Sequence, residues 1–309
     1  MLISPSGTQP FPELLDNSAI SSFKKCETDW YYSSLRAITG KGGNIHLHAG
    51  GAYAAGLEVA RKAFYDEGLS EELAIIEGYK ALTRYWGDFE EPEGSAKSYD
   101  RIAHALIEYF CHYPMAEDII KPFRNALGKS CVEFNFSIPI DVAHPVSGNP
   151  ILYGGRFDML AERDGVLFVE DDKTASQLGA QWNRNWILDS QFTGYCFAAR
   201  RFGYPVAGAI IRGLSILKNG FGHAQAIVYR PDWQVERWYE NLCKTVEDMI
   251  RAWDSDRYLM TLDKHACNSY GGCGYHKLCE SPEPERWIEF DYEPRIWNPL
   301  AKGDEHVTP

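Results

Sequence analysis

Two aspartates and a lysine on either side of an Asp-Gly pair are the residues in this 309-residue chain best placed to do chemistry. Gly154-Gly155-Arg156-Phe157-Asp158 and Asp171-Asp172-Lys173-Thr174 lie around Asp164-Gly165. Asp-Gly between β-rich runs signals a two-residue hairpin, since both central residues of the favoured turn take positive φ. If Arg163 and Val166 flank that turn as a pair, counting back places Asp158 opposite Asp171. Side chains alternate along a strand, so Lys173 and its partner Arg156 share the same face. Opposed β-carbons lie about 5 Å apart, a separation at which like charges destabilise an ordinary sheet. A hard cation such as Mg²⁺ compensates, taking one or two carboxylates together with waters and phosphate oxygens. It would polarise a phosphate and acidify a bound water. Lys173 could then position or deprotonate that water, or offset charge growing on the phosphate oxygens.

The bland alternative is an exposed acidic rim with Lys173 in a surface ion pair. The apolar neighbours Leu160, Phe168 and Val169 favour a buried hairpin instead. Glu133, among Val132, Phe134 and Phe136, is a further candidate ligand, because an unpaired carboxylate on such a strand is costly. Gln191 and Tyr195, four apart on a following helix, share one face and could reach a substrate backbone or the lysine. Read blandly, they are an amide cap and a core tyrosine.

A second constellation is Cys267, Cys273 and Cys279, with Gly271, Gly272 and Gly274 giving the loop freedom to wrap an inorganic centre. Zinc sites usually show tighter C-x2-C knuckles, whereas iron-sulfur spacings vary more. Cys26 is the leading candidate for a fourth ligand. Free thiols, or a Zn²⁺ site completed by His265 or His276, stay open. Cys111, Cys131, Cys196 and Cys243 sit in apolar patterns and read as core.

The elements that must position these residues follow from periodicity. Helices are expected over 18–35, 52–65, 70–86 and 99–111, and strands over 131–138, 151–162 and 166–172. A helix over 189–202, strands over 206–217 and 224–229, and a helix over 231–253 complete the pattern. This order suggests one mixed α/β core with helical additions. A 45% hydrophobic chain of this length can bury a sizeable core. The net charge of −12 argues against nonspecific coating of nucleic acid. A basic groove could still come from Lys24-Lys25, Arg61-Lys62 or Arg200-Arg201, each of which reads blandly as solvated surface. No apolar run approaches a membrane span and residues 1–17 lack a secretion signal, so a cytoplasmic location and no membrane partner are expected.

Gly155-Arg156-Phe157-Asp158, then Glu170-Asp171-Asp172-Lys173-Thr174, then Gln191 with Tyr195, resembles in order and spacing the motifs of RecB-like PD-(D/E)XK nucleases. The resemblance implies a restriction-endonuclease-like α/β core in which Asp158 and Asp171 bind Mg²⁺ or Mn²⁺. It further implies that Asp172 lends its backbone carbonyl and that Lys173 is catalytic. Glu133 matches the acidic residue of the first core strand. The cysteine pattern is similar to that of iron-sulfur nucleases, including the CRISPR-associated exonucleases, in which one early and three late cysteines hold a 4Fe-4S cluster. In one departure, Ala54 stands where many relatives carry a metal-binding histidine. Either Glu58 or Glu133 would then compensate or activity would be weakened, while His46 and His48 are expected to precede the helix.

The expectation is a single nuclease domain over 1–309, with a catalytic core over 130–230 and an iron-sulfur lobe over 18–40 and 254–290. It would be a DNA exonuclease of phage or bacterial recombination, replication or repair, supplied with substrate by a helicase or recombinase. The alternative is a noncatalytic DNA-binding partner that retains the fold and cluster.

Overall fold

A computed structural model describes residues 10–175, 177–217, 219–268, 272–295, 298, 300 and 306–307. Gly271 and the first nine residues of the lead lie outside the described residues.

The chain opens with a short strand β1 (Leu14–Leu15), helix α1 (Asn17–Lys25), helix α2 (Glu27–Trp30), a π-helical turn (Tyr31–Leu35) and β2 (Ile38–Gly40). The single helix expected over 18–35 is thus broken at Cys26, which is extended at φ −167°, ψ 118°. Asp16 caps α1 by accepting the Ala19 N–H at 2.8 Å. The break has a tertiary cause, since the Thr28 N–H bonds to the Leu259 carbonyl. Three long helices follow: α3 (Ile45–Tyr65), α4 (Glu71–Trp86) and α5 (Tyr99–His112). Helix α3 begins seven residues before the expected start, because Asn44 caps it through the N–H groups of His46 and Leu47. Gly50 and Gly51 therefore lie within it, and a β-carbon on Gly51 would sit 2.2 Å from the Tyr85 hydroxyl.

Next come β3 (Lys121–Pro122), β4 (Val132–Ala143), β5 (Pro150–Arg163) and β6 (Val166–Ala175). They are followed by α6 (Trp182–Asn185), α7 (Ser190–Arg201), β7 (Gly208–Leu217), β8 (Gly220–Tyr229) and α8 (Asp232–Asp254). The small elements α9 (Lys264–Asn268), α10 (His276–Glu280), α11 (Pro284–Asp291), β9 (Tyr292–Pro294) and β10 (His306–Val307) come last. No helix among the described residues is long and apolar enough to cross a membrane.

The chain divides into two compact units: residues 44–135 with 156–235, and residues 1–43 with 136–155 and 236–309. The sheet order is β4-β5-β6-β7-β8; β6, β7, β8 and residues 156–163 of β5 lie in the first of these units, with β5-β6 and β7-β8 antiparallel and β6-β7 parallel. The parallel step needs a crossover, which α7 supplies. This is the α/β fold with a mixed, helix-flanked sheet that the periodicity implied. Helices α3, α4 and α5 pack with Leu214 and Ile216 of β7 into one core. Close packing of α3 on α4 needs small residues: a β-carbon on Gly78 would lie 2.5 Å from the Gly56 carbonyl.

In the other unit, β2 pairs antiparallel with β9. Around that ribbon Tyr32, Ile38, Tyr275, Leu278 and Tyr292 form a small core, and Arg36 forms an ion pair with Glu285.

Candidate active site

The hairpin forms as counted. Asp164 and Gly165 take φ of 52° and 76°, and the ladder runs from Arg163↔Val166 to Met159↔Glu170. One residue further on, the side chain of Asp158 joins the pairing, with Oδ2 accepting the Asp172 N–H at 2.8 Å. Leu160, Phe168 and Val169 are all buried, so the hairpin is no solvated rim. Lys173 and Asp171 are ion-paired. The Asp171 carboxylate is 4% exposed and the Lys173 chain 30% exposed, so only the lysine opens to solvent. Arg156 does not stay with Lys173; its Nε lies 2.6 Å from Glu133 Oε2. Glu133 has φ 59°, a conformation that costs a residue with a β-carbon energy and persists only where surroundings enforce it.

Crowding of carboxylates sets the electrostatics. Burial, then the charges of Asp171 and Glu133, holds the Asp158 carboxyl well above the usual carboxylate range. Burial also raises Asp171, against the pull of Lys173. Glu133 is pushed up to about 7 by burial, with Arg156 opposing and Glu58 adding to the rise. For Lys173, burial acts downward, but the charges of Asp171 and Asp158 outweigh it and raise its pKa. Without a cation, this cluster tends to hold protons.

Helix α7 supplies the other side. Its N-cap is Asp189, which accepts the Phe192 N–H at 3.2 Å. Gln191 donates to the Tyr195 hydroxyl at 2.7 Å, and the buried Tyr195 ring packs on Phe157. The residue of this helix that meets the lysine is Phe192, whose ring centre lies 5.6 Å from Lys173 Nζ. Sequence reasoning passed over Phe192, because a lone aromatic in an apolar helix gives no signal of its own.

The opposite face of β6 carries Glu170 and Asp172, both answered by Arg61 of α3, at 3.5 and 2.7 Å. Arg61 also donates to the Tyr109 hydroxyl at 2.7 Å. Tyr109 accepts from Arg212, and Arg212 grips Asp118 in a two-pronged pair. Arg61 is 4% exposed, so the groove role offered for Arg61-Lys62 is corrected: the guanidinium is structural ballast beneath the hairpin. The available signal was its spacing from Tyr53 and Leu57, which places a charge on the buried face of α3. Arg200 is also withdrawn from a groove, bonding to Asp232 and to the carbonyls of Val206 and Arg230.

Among the described residues, no three carboxylate, imidazole or thiol groups converge closely enough to hold an ion by themselves. The oxygens at the hairpin nevertheless suit Mg²⁺ or Mn²⁺, which bind through one or two carboxylates plus waters and phosphate oxygens. Buried Asp171 Oδ1 and Glu133 Oε2 have no hydrogen-bond donor beyond their ion pairs. Asp158 and Asp171 would hold the ion, with Glu133 and the Asp172 carbonyl as further donors, and its chemistry would be Lewis-acid activation of phosphate and water. His46 and His48 are the histidines nearest Ala54 in sequence. Both lie in the first turn of α3 rather than before it, and the His48 ring stacks on Phe89 and bonds the Trp86 carbonyl. Glu58, one turn beyond Ala54, pairs with Lys62 at 2.9 Å.

Cys26, Cys267, Cys273 and Cys279 lie in the other unit, all as free thiols. Cys26 Sγ is 3.9 Å from the Leu259 carbonyl, and the Cys273 N–H bonds to the Cys267 carbonyl at 2.7 Å. Cys279 is raised to about 11 by burial and then by the charges of Cys273, Cys26 and Cys267. The four are electrostatic neighbours without forming a ligand set. His276 faces Glu280 at 3.5 Å. Of the cysteines read as core, Cys131 and Cys196 are buried, Cys243 is half-buried and Cys111 is exposed on α5, the last a correction.

Fold and hairpin together describe an α/β protein with a carboxylate-lysine cluster on adjacent strands. The family model of the PD-(D/E)XK nuclease superfamily matches residues 17–280, and the chain belongs to that superfamily. No curated protein matches the chain in sequence. Among solved structures, a protein named "Putative exonuclease" from Eubacterium rectale is 14% identical, covering 83% of this chain and 88% of its own, with a TM-score of 0.46. The protein SSO0001 is 16% identical, covering 74% and 84%, with a TM-score of 0.31.

Proposed function

We propose that the chain is a divalent-metal-dependent DNA exonuclease of the RecB-like branch. The observation that carries the reading is the crowding of Asp158, Asp171 and Lys173 at the end of a buried hairpin, where the Asp171 carboxylate is sealed while Asp158 and Lys173 keep partial access to solvent. Membership of the superfamily supports phosphodiester cleavage and DNA as the partner. In this reading Asp158 and Asp171 bind the metal, Glu133 and the Asp172 carbonyl complete its surroundings, and Lys173 orients the attacking water. Gln191, tied to Tyr195, faces the substrate backbone. Cleavage of a labelled oligonucleotide in Mn²⁺ by wild type and Lys173→Ala tests it. A loss on the order of 10²-fold or more is expected for the variant; equal cleavage by the two would end the catalytic assignment, and DNA binding without cleavage by the wild type would leave a noncatalytic DNA-binding partner.

The proposal extends to one nuclease domain over 1–309 with its core over 130–230, acting in the cytoplasm in recombination, replication or repair, on ends exposed by a helicase or recombinase. It also gives Cys26, Cys267, Cys273 and Cys279 to a 4Fe-4S cluster binding 18–40 to 254–290. Their location in one compact unit, with the Cys273 N–H bonded to the Cys267 carbonyl, supports a shared centre. Iron and sulfide assays on anaerobically purified protein check this part; zinc without iron would replace the cluster by a Zn²⁺ site.

A further inference from the structure

Lys173 Nζ stands over the face of the Phe192 ring, 5.6 Å from its centre. An ammonium within about 6 Å of a ring centre is drawn to the negative face of the π-system. The other neighbour of Nζ is the Asp171 carboxylate, so the ammonium is held from two elements, by its own strand β6 and by helix α7. The partners in the ring contact differ in freedom. The Lys173 chain is flexible and 30% exposed, whereas Phe192 is fully buried. Its ring meets the rings of Trp186 and Tyr195 edge-on at 5.4 and 6.1 Å, and its N–H is bound by Asp189 at the helix cap. A fixed ring therefore faces a mobile cation.

An aliphatic side chain fills a core as well as a ring does, but offers a cation no such attraction. A single ion pair is a loose restraint on a long side chain, and Asp171 is also a group that a divalent ion would claim. When that carboxylate turns its charge to a cation, the ring is the contact that keeps Nζ in place. We propose that Phe192 is a positioning residue, whose ring face holds the Lys173 ammonium beside the carboxylates so that it can orient the attacking water. This rests on the nuclease reading above and deepens it, adding a group that acts only through the lysine.

Replacing Phe192 by mono-, di- and trifluorophenylalanine tests the assignment, because fluorine drains the negative face of the ring step by step while nearly keeping its shape. In the full chain with Mn²⁺ and a labelled oligonucleotide, kcat is expected to fall along the series, by roughly tenfold at its end, with KM and Tm unchanged. A second readout needs no metal. In chelator, NMR of isotope-labelled lysine should show the Lys173 ε-methylene, assigned by its absence in Lys173→Arg, shifted upfield by the ring in wild type and moving towards the exposed lysines along the series. A kcat independent of fluorine content overturns the proposal, as does a loss of rate that comes with a loss of Tm, which would make the ring a packing group only. An unshifted Lys173 signal in wild type overturns it as well. Wild-type protein that cleaves no DNA sinks the nuclease reading, and the NMR series then decides the lysine contact by itself; normal wild-type cleavage with a flat series sinks this assignment alone.

Discussion

The Asp158 carboxylate accepts the backbone N–H of Asp172 at 2.8 Å, so one candidate metal ligand fixes the peptide plane that joins Asp172 to the other, Asp171. The side chain takes the place of a ladder hydrogen bond and holds the two strands in register where their carboxylates repel. Asp158→Asn keeps an acceptor for that N–H and removes one of the crowded charges. Cleavage in Mn²⁺ should fall on the order of 10²-fold while Tm stays level or rises. A variant that is fully active would exclude Asp158 as a ligand.

Arg61 is the counter-charge for Glu170 and Asp172 on the hidden side of the same strand. Removing one partner of a buried ion pair costs about 3–5 kcal/mol, because the remaining charge stays buried. Arg61→Met should therefore lose about that much stability in urea unfolding, and the double variant Arg61→Met with Asp172→Asn should recover part of it. A loss below about 1 kcal/mol in the single variant would show that the network is dispensable.

Stability of the metal-free protein should run opposite to that of most carboxylate-stabilised proteins. Glu170 is pushed up to about 8 and Glu133 to about 7, in both cases chiefly by burial. A carboxyl whose pKa rises on folding binds its proton more tightly in the folded state, so its contribution is present below the unfolded value near 4.5 and is lost as pH rises through the folded value. Tm in chelator should accordingly fall between about pH 5 and pH 8, and Glu170→Gln should flatten the fall. Millimolar Mg²⁺ at pH 8 should restore Tm through binding to the folded state. A pH-independent Tm in chelator would contradict the crowding described for this site.

Gly78 of α4 tests the helix packing. An alanine β-carbon there would meet the Gly56 carbonyl at 2.5 Å and the Ala60 β-carbon at 2.8 Å. Gly78→Ala should destabilise by about 1–3 kcal/mol through overpacking, despite the helix propensity gained. Calorimetry showing a stabilised variant would mean the helices can part at little cost.

Sequence by itself determined the hairpin and what it brings together. A two-residue turn leaves no freedom of register, and a strand's period of two assigns faces, so Asp158 and Asp171 were placed across from one another by counting. Helix α7 was nearly as legible, its Gln191-Tyr195 pair following from helical spacing, while its Asp189 cap came from the structure. Only the tertiary structure decided that Arg156 leaves the lysine for Glu133, that Arg61 is buried under the hairpin, and that Phe192 meets Lys173. It also broke the first helix at Cys26 through a hydrogen bond between Thr28 and Leu259, far apart in the chain. Local periodicity reports which side a residue faces. Which opposite charge it finds there depends on segments about a hundred residues away, as Arg61 and Glu170 are, and that pairing is chosen by packing and desolvation rather than by local order.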